Sequence, residues 1–318
     1  MKTVYALLLC FYAFSLHSQN LSLNNPPSAP ALFEAGFIST PLNERDFAIS
    51  PDGNEIYYTI STPKSTFQTI VFIQQQKDGT WSLPKIAPFA GNFSDLEPAF
   101  TADGNTLFFA SNRPVEGETP KDFDIWKVTR SGSGWGEPVN LGTTINTETD
   151  EFYPSVTKNG NLYFTATYEE GPGREDIYCS TMKNGEYQKP VPLDTAVNSK
   201  FYEFNAFVSP DEKFILYTCY GRADTGGGDL YISIKDSNGK WQPSQNLKTL
   251  NSKQLDYCPY VSPDGTTLFF TSDRHDLPVS FTQQKATVKA LQEVLESPLN
   301  GNGNIFWVDF KKVLESVK

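Results

Sequence analysis

The sequence predicts an all-β protein, a five-bladed β-propeller built from four-stranded antiparallel blades. Three observations predict this fold. A strand–turn–strand motif recurs five times, its copies lie about 50 residues apart, and the strand missing from the last copy has a counterpart near the N-terminus. A period of about 40–50 residues made of short strands is typical of propeller blades, because each small sheet needs neighbours to bury its faces.

Each copy of the motif contains the pattern of four strands. In "DYCPYVSPDGTTLFFTS", from Asp256, a short first strand is followed by an Asp-Gly pair and by a second strand rich in aromatic and β-branched residues. Such pairs are typical of tight hairpin turns, and such residues favour strands. A third strand such as "GDLYISI" and a fourth that follows a Gly-containing turn complete the unit. The copies begin at Glu44, Asp95, Glu151, Glu203 and Asp256.

The two ends of the chain predict how the ring closes. The last copy lacks its fourth strand, and "PALF", from Pro30, precedes the first copy. We therefore expect the N-terminal segment to complete the last blade, which removes the open sheet edge that favours aggregation. Five turn motifs and one split blade favour five blades over six.

The first residues resemble a secretory signal. Lys2 provides the positive start, "VYALLLCFYAF" the apolar stretch and Ser18 a cleavage zone. The stretch is too short to span a bilayer comfortably, so we expect an exported protein, periplasmic or secreted, with no membrane span. The predicted organisation is a signal peptide at 1–18, a linker at 19–29, the propeller at 30–310 and a tail at 311–318.

One segment interrupts the repeat, an insertion at 275–303 between the second and third strands of the last blade. Residues Gln283 to Leu295 have helical character, with Val288, Leu291 and Leu295 on one stripe. Two interpretations remain open for this helix: it packs on the propeller surface, or it forms a lid over the channel.

Charge and composition exclude several classes of function. A net charge of −11 argues against nucleic acid as a partner. His275 is the one histidine beyond the predicted signal, which excludes zinc sites with several histidines and relays that need two imidazoles. Cys179, Cys219 and Cys258 are an odd number of cysteines, so we expect buried thiols, with a Cys219–Cys258 bridge as the alternative. We expect a monomer.

The unit from Leu141 to Ser180 resembles the TolB-like β-propeller repeat of the Pro-Asp-Gly type, a WD-repeat-like unit found in exported bacterial proteins. The shared pattern is an Asn after an aliphatic residue, an acid, "P-x-φ-S-P-D-G" with φ apolar, and then strands of the type "LyF" and "DIY". The resemblance covers roughly 30–310. It implies an envelope protein that binds other proteins, a module attached to peptidoglycan-binding domains or a noncatalytic domain of a peptidase.

Every copy has a carboxylate at the start of its first strand, and these five residues are the first candidate ligand-binding residues. Because the first strand of a blade lines the channel, we expect the acids to ring one mouth. The candidate residues are Glu44, Asp95, Glu151, Glu203 and Asp256 in this ring, with Asp46 and Glu97 two positions further on.

Two interpretations of this acid ring remain open. Each acid could pair locally with an arginine of the following loop, for which the candidates are Arg113, Arg174, Arg222 and Arg274. Alternatively, the ring could bind a ligand or a cation. Calcium accepts carboxylates in loose geometry, but no "DxDxDG" loop supports it, so we expect no cofactor and keep calcium as a weak candidate at the same acids.

The function expected first is noncatalytic binding of an envelope protein, a peptide or a glycan at the channel mouth. The alternative is a carbohydrate-active enzyme, a glycoside hydrolase or a polysaccharide lyase. A hydrolase would need two carboxyls about 5 Å or about 6.5–9.5 Å apart. A lyase could use His275, beside Arg274 and Asp276. Unpaired acids in a deep pocket would favour the enzyme, whereas acids paired within their own blades would oppose it.

Overall fold

The computed structural model describes residues 20–222, 226–278, 280–282 and 285–317. Their strands form five antiparallel sheets of four strands, one for each copy of the repeat, arranged as a ring. The predicted fold is therefore confirmed. The predicted signal peptide at 1–18 lies outside the described residues.

The strands follow one another in the order that the repeat predicts. In chain order they are β1 (Ala31–Leu32), β2 (Asn43–Ile49), β3 (Glu55–Ser61), β4 (Gln68–Gln74), β5 (Lys85–Ile86), β6 (Asp95–Phe100), β7 (Thr106–Ser111), β8 (Asp124–Ser131), β9 (Gly134–Trp135), β10 (Val139–Asn140), β11 (Glu151–Val156), β12 (Leu162–Ala166), β13 (Asp176–Ser180), β14 (Met182–Lys183), β15 (Glu186–Tyr187), β16 (Val191–Pro192), β17 (Tyr202–Val208), β18 (Phe214–Tyr220), β19 (Asp229–Ile234), β20 (Gln245–Asn246), β21 (Asp256–Val261), β22 (Thr267–Ser272) and β23 (Asn304–Asp309).

Twenty of these strands form blades, numbered from the N-terminus, while β9 pairs with β8 at the side of its sheet and β14 pairs with β15 separately. Blade I is β2-β3-β4-β5, blade II β6-β7-β8-β10, blade III β11-β12-β13-β16 and blade IV β17-β18-β19-β20. Blade V is β21-β22-β23-β1, so its outer strand comes from the N-terminus. Ala31 lies opposite Trp307 in this pairing. Closure by the N-terminal segment is therefore confirmed.

Aromatic side chains fill the space between blades. Tyr57 of blade I is 1 % exposed, and its ring lies 5.4 Å from the ring of Phe100 in blade II. Its hydroxyl accepts a hydrogen bond of 2.9 Å from Nε1 of Trp135. Phe33 packs in the same way between Phe47 and Phe269, where blade V meets blade I. Burial on both faces explains why the inner strands read as nearly continuous apolar runs.

The asparagine of the repeat pattern joins consecutive blades. The side chain of Asn146, which precedes blade III, accepts a hydrogen bond from the backbone N–H of Ile125 and donates one to its carbonyl, at 2.9 and 3.0 Å. Asn198 makes the same two bonds to Ile177 of the next blade pair. The amide thus takes the place of a neighbouring strand where β8 and β13 would lose their ladder partner.

Every first strand carries a β-bulge at the same position. The register of its pairing with the second strand shifts in all five blades. One residue in each bulge has left-handed backbone angles that L-residues rarely adopt. These residues and their φ values are Asp46 (61°), Glu97 (62°), Tyr153 (52°), Asn205 (50°) and Cys258 (51°). A bulge re-aims a side chain, so this position differs from the regular strand in where it points.

The insertion in blade V contains α1 (Val288–Leu295), which begins after the N-cap Thr287. Its apolar stripe is exposed, with 74 % of Val288, 45 % of Leu291 and 61 % of Leu295 accessible. The stripe therefore does not pack on the propeller, and the expectation of a packed helix is wrong for this face. The segment is attached instead by Asn300, whose side chain donates to the carbonyl of Pro41 at 2.9 Å.

The C-terminal tail forms a second helix, α2 (Phe310–Ser316). The carboxylate of Asp309 caps it by accepting hydrogen bonds from the backbone of Lys311 and Lys312. Phe310 and Val313 are buried against blade V. Neither α1 nor α2 nor any other helix in the described ranges has the length and apolarity that a membrane span requires.

Candidate functional site

The five acids that begin the first strands, here called the joint acids, are almost completely buried. Glu44 is 1 % exposed, and Asp95, Glu151, Glu203 and Asp256 are 0 % exposed. Each accepts hydrogen bonds from the loop that precedes its strand, and this connection between two blades, with the donors around the acid, is here called a joint. At Asp256, Oδ2 accepts from the backbone and hydroxyl of Ser252, at 2.5 and 2.8 Å, and Oδ1 from the hydroxyl of Ser272 at 2.6 Å. These acids hold the entry of each blade in place.

Three of the five joints also contain the predicted arginine. Arg113 lies 2.5 Å from Asp95, Arg222 lies 3.2 Å from Glu203 and Arg274 lies 3.1 Å from Asp256. The fourth candidate departs from the prediction. Arg174 is exposed and donates to the hydroxyl of Tyr202 at 3.1 Å. In blade III, Tyr168 lies beside the joint acid in place of an arginine.

The two joints without an arginine rely on neutral donors. Glu151 accepts from the hydroxyls of Tyr168 and Thr147, both at 2.7 Å. Glu44 accepts from the backbone N–H of Thr40 at 3.2 Å and from its hydroxyl. Burial raises the pKa of Glu44 to about 7, and likewise the pKa of Glu151 to about 7, against the opposing effect of these hydrogen bonds.

The joint acids are absent from the walls of the channel cavity, a space of about 460 Å³ between the first strands. The cavity extends from the bulge residues to the turns that follow the first strands, and residues of all five blades line it. Those turns contain Pro51, Pro210 and Pro263. Because each first strand begins at a joint acid and ends at such a turn, the acids lie on the other side of the bulges from the mouth.

The five bulge residues are here called the axial ring, and three of them, Asp46, Glu97 and Tyr153, line this cavity and form its floor. Arg45 joins two of them: its Nε donates to Oδ1 of Asp46 at 2.8 Å, and its Nη2 donates to Oε1 of Glu97 at 3.0 Å. The thiol of Cys258 donates to the same oxygen of Asp46 at 2.8 Å. Burial keeps this sulfur a thiol by raising its pKa well above the usual value. One arginine thus serves two carboxyls from blades I and II.

The rest of the axial ring completes the partners of Glu97. Asn205 donates to Oε1 at 3.3 Å, and the backbone N–H of Tyr153 donates to Oε2 at 2.6 Å. Desolvation by burial raises the pKa of Glu97, the negative charge of Asp46 raises it further, and Arg45 opposes both. Asp46 differs, because it is 2 % exposed and its Oδ2 has no hydrogen-bond partner.

Apolar side chains pack around two members of the axial ring, Tyr153 and Cys258. Tyr153, Tyr257 and Cys258 form a buried cluster with Phe152 and with further apolar side chains of blades IV and V. The guanidinium of Arg45 lies 5.3 Å from the centre of the Tyr257 ring. Asp46 lines the cavity, so a ligand that enters by the mouth at the turns can approach it.

Aromatic side chains form much of the cavity wall. Phe100, Phe207, Phe214 and Tyr260 line it and are only half-buried. The mouth carries two exposed charges of opposite sign, Lys158 and Asp211. Pockets that bind small molecules are typically of this size, mostly apolar and supplied with a few fixed polar groups.

The remaining predicted residues lie elsewhere. His275 is on the joint-acid side, where its Nδ1 accepts from the backbone of Leu277 at 3.3 Å and its Nε2 is 3.3 Å from Nε2 of Gln254. In the described ranges no three His, Cys, Asp or Glu side chains form a metal-binding group. Cys179, Cys219 and Cys258 are free and buried, so the bridge between Cys219 and Cys258 is not formed.

Sequence reasoning identified Asp46 and Glu97 but missed their partners Arg45, Tyr153, Asn205 and Cys258. A signal was present, because Tyr153, Asn205 and Cys258 all lie two residues after a joint acid. These residues are chemically different from one copy to the next, so the features that the copies share do not identify them.

Comparisons with known proteins support the fold. No family model and no curated protein sequence matches the chain. Among solved structures, TolB from Acinetobacter baumannii is similar over 72 % of this chain, with 18 % identity and a TM-score of 0.47; the chain spans 49 % of that protein.

Solved structures of glycoside hydrolases are also among the matches. A thermostable family-43 glycoside hydrolase is similar over 86 % of this chain and 90 % of its own, with 12 % identity and a TM-score of 0.52. An α-L-arabinofuranosidase from Podospora anserina is similar over 90 % of this chain and 94 % of its own, with 12 % identity and a TM-score of 0.49. At 12 % identity the likeness to the family-43 glycoside hydrolase shows the fold alone.

Proposed function

We propose that this protein is an exported, noncatalytic propeller of the TolB-like type, which binds a protein segment, a peptide or a glycan of the envelope in its channel cavity. The observation that carries the proposal is the cavity of about 460 Å³, with aromatic walls, a polar floor and a mouth at the Pro-Asp-Gly turns. The N-terminal signal pattern and the repeat motif support export and the TolB-like type.

The positions of the carboxyls favour binding over hydrolysis. The joint acids are buried among their own donors, as in the Asp256 joint, and none lines the cavity. Asp46 and Glu97 do line it, but both are hydrogen-bonded to Arg45. A glycoside hydrolase places its acid and its second carboxyl to flank the scissile bond, whereas these two lie together on the floor.

Filling the cavity tests the proposal. Ala99 lines the cavity and is half-buried, so Ala99→Trp should obstruct it. Ala286 is exposed in the insertion, and Ala286→Trp is the matched control. We expect partners captured from envelope extract, or peptides and glycans found by ligand-observed NMR, to bind the wild type and Ala286→Trp but not Ala99→Trp. Equal binding by both variants would place the binding surface outside the channel.

One observation favours an enzyme as the second candidate. The cavity floor contains a carboxyl with a raised pKa, Glu97, together with a second carboxyl, Asp46, and a carboxyl whose pKa is raised can serve as a general acid. Wild type and Glu97→Gln should be incubated with a polysaccharide panel, scored for new reducing ends and for the unsaturated products of a lyase. Turnover that Glu97→Gln abolishes would establish the enzyme, and its absence across the panel would remove this candidate.

A further inference from the structure

We propose that the ligand of the channel cavity carries an ammonium group on an apolar stem, and that this group binds Asp46 at the cavity floor. The inference rests on the proposed function, because it names the chemistry of what that cavity takes. It concerns one carboxylate oxygen, Oδ2 of Asp46.

The hydrogen bonds of the axial ring leave this oxygen without a donor. Oδ1 of Asp46 accepts from both Arg45 and Cys258, and both oxygens of Glu97 have donors. Oδ2 of Asp46 has none, although its side chain is only 1 % exposed. A buried carboxylate oxygen without a donor is costly, and a ligand that supplies an N–H would satisfy it.

The free acceptor at the floor favours a cation. Arg45 is already hydrogen-bonded to Asp46 and Glu97. Burial raises the pKa of Glu97 and so lowers the negative charge of that carboxyl, and Lys158 and Asp211 at the mouth offset each other. An anionic group that reached the floor would meet two carboxyls. An ammonium group would meet an acceptor with a free lone pair, and charge-assisted hydrogen bonds of this kind are among the stronger ones.

The walls favour an apolar stem behind the charge. The rings of Phe100, Phe207 and Tyr260 lie between the mouth and the floor, so a chain that reaches Asp46 passes through an aromatic lining. Aromatic faces contact methylene groups well and also attract cations. A lysine side chain of a peptide and a free alkylamine share this chemistry.

Two matched pairs of probes test the inference. The first is 1-hexylamine against 1-hexanol, and the second is acetyl-Ala-Lys-Ala-amide against the same peptide with Nε-acetyllysine. We expect at least one amine to bind about tenfold or more tightly than its neutral partner by calorimetry, since only the amine forms a charge-assisted bond. Preference for hexylamine would identify a free amine as the source, and preference for the peptide a lysine side chain.

Variants connect that preference to Asp46. Asp46→Asn should reduce the ratio between amine and neutral probe to near one, whereas Asp78→Asn, at an exposed carboxyl outside the cavity, should leave it intact. Far-ultraviolet circular dichroism checks the fold of each variant. Asp46→Ala provides a second variant, because it removes both carboxylate oxygens and should abolish the preference for the amine.

The outcomes separate the inference from the proposed function. Equal binding of amine and neutral probes, or a preference unchanged by Asp46→Asn, would overturn the inference while the cavity remained a binding site. The same follows if no probe binds but other ligands are lost in Ala99→Trp. If no ligand is sensitive to Ala99→Trp, the proposed function falls as well.

Discussion

The joint acids and the axial ring are two sets of five residues that lie only two positions apart along the same strands, yet they are bonded in opposite ways. At every joint an acid is bonded within its own joint, as Asp256 is to Ser252 and Ser272. In the axial ring each blade contributes a different side chain, and bonds cross from blade to blade, as from Arg45 to Glu97.

The difference teaches how a repeat separates structure from specificity. A joint recurs in each blade, so a carboxylate, of Glu or Asp, stands at all five, although its donors differ between blades. The axis occurs once in the molecule, and side chains from different blades contact each other there. The residue that fits at one axial position therefore depends on the residues at the others. The joint acids, which recur in every copy, therefore stabilise the ring of blades. The axial ring, whose residues differ between copies, gives this propeller side chains that another propeller of the same fold need not have.

The largest effect on stability is expected from a substitution that removes a joint acid. Asp256→Ala leaves Arg274, Ser252 and Ser272 without their acceptor, and removal of one partner from a buried ion pair costs about 3–5 kcal/mol. Urea unfolding should show this loss in the free energy of unfolding. Asp309→Ala, which removes only the cap of α2, is the control and should cost about 1 kcal/mol. A loss at Asp256 no larger than the control would contradict the structural role of the joints.

Stability should depend on pH through the joints that lack an arginine. Because the pKa of Glu44 is about 7 in the fold and 4.5 is its ordinary value, the folded state binds more protons between these values. The free energy of unfolding should therefore fall as pH rises through this window, by about 3 kcal/mol for such a group, and then level off. Urea unfolding between pH 4.5 and 8 measures the slope.

Two variants isolate this slope. Glu44→Gln should flatten it, and Glu151→Gln should act in the same way, because the pKa of Glu151 is also about 7. Glu116→Gln, at an exposed carboxyl, should leave it unchanged. An identical slope in the wild type and Glu44→Gln would show that this carboxyl stays ionised.

A smaller effect is expected where a tyrosine replaces the arginine. Tyr168→Phe removes the hydroxyl that donates to Glu151 at 2.7 Å, and loss of a hydrogen bond to a buried carboxyl costs about 1–3 kcal/mol. Chemical denaturation should detect this loss. Tyr220→Phe is the matched control, since Tyr220 is 50 % exposed. Equal stability of the two variants would mean that blade III does not need this donor.

The smallest effect sharpens the comparison at the axis. In Asp46→Asn, Oδ1 can still accept from Arg45 and Cys258, and the amide takes the place of an oxygen that has no donor. We expect a loss of no more than about 1 kcal/mol in denaturation of the free protein. A loss as large as that of Asp256→Ala would show that the axial ring supports the fold as strongly as the joints do.

The sequence determined the architecture of this protein almost completely. Five copies of a short pattern, each with an Asp-Gly, Asn-Gly or related turn, predicted the blades, and the unmatched segment from Pro30 predicted the closing strand. These signals are local or repeated, so they are readable without coordinates. The joint acids were visible for the same reason, because a residue that every blade needs stands in every copy.

Only the tertiary structure decided which of these residues meet and which face the channel. The bulges give Asp46 and its four equivalents left-handed backbone angles and direct them to the axis, and no local sequence pattern predicts that change. The partnership of Arg45 with Glu97 spans two blades, and Cys258 reaches Asp46 across the closure of the ring. Contacts between distant segments depend on how the ring closes, which is a property of the whole chain and not of any one repeat.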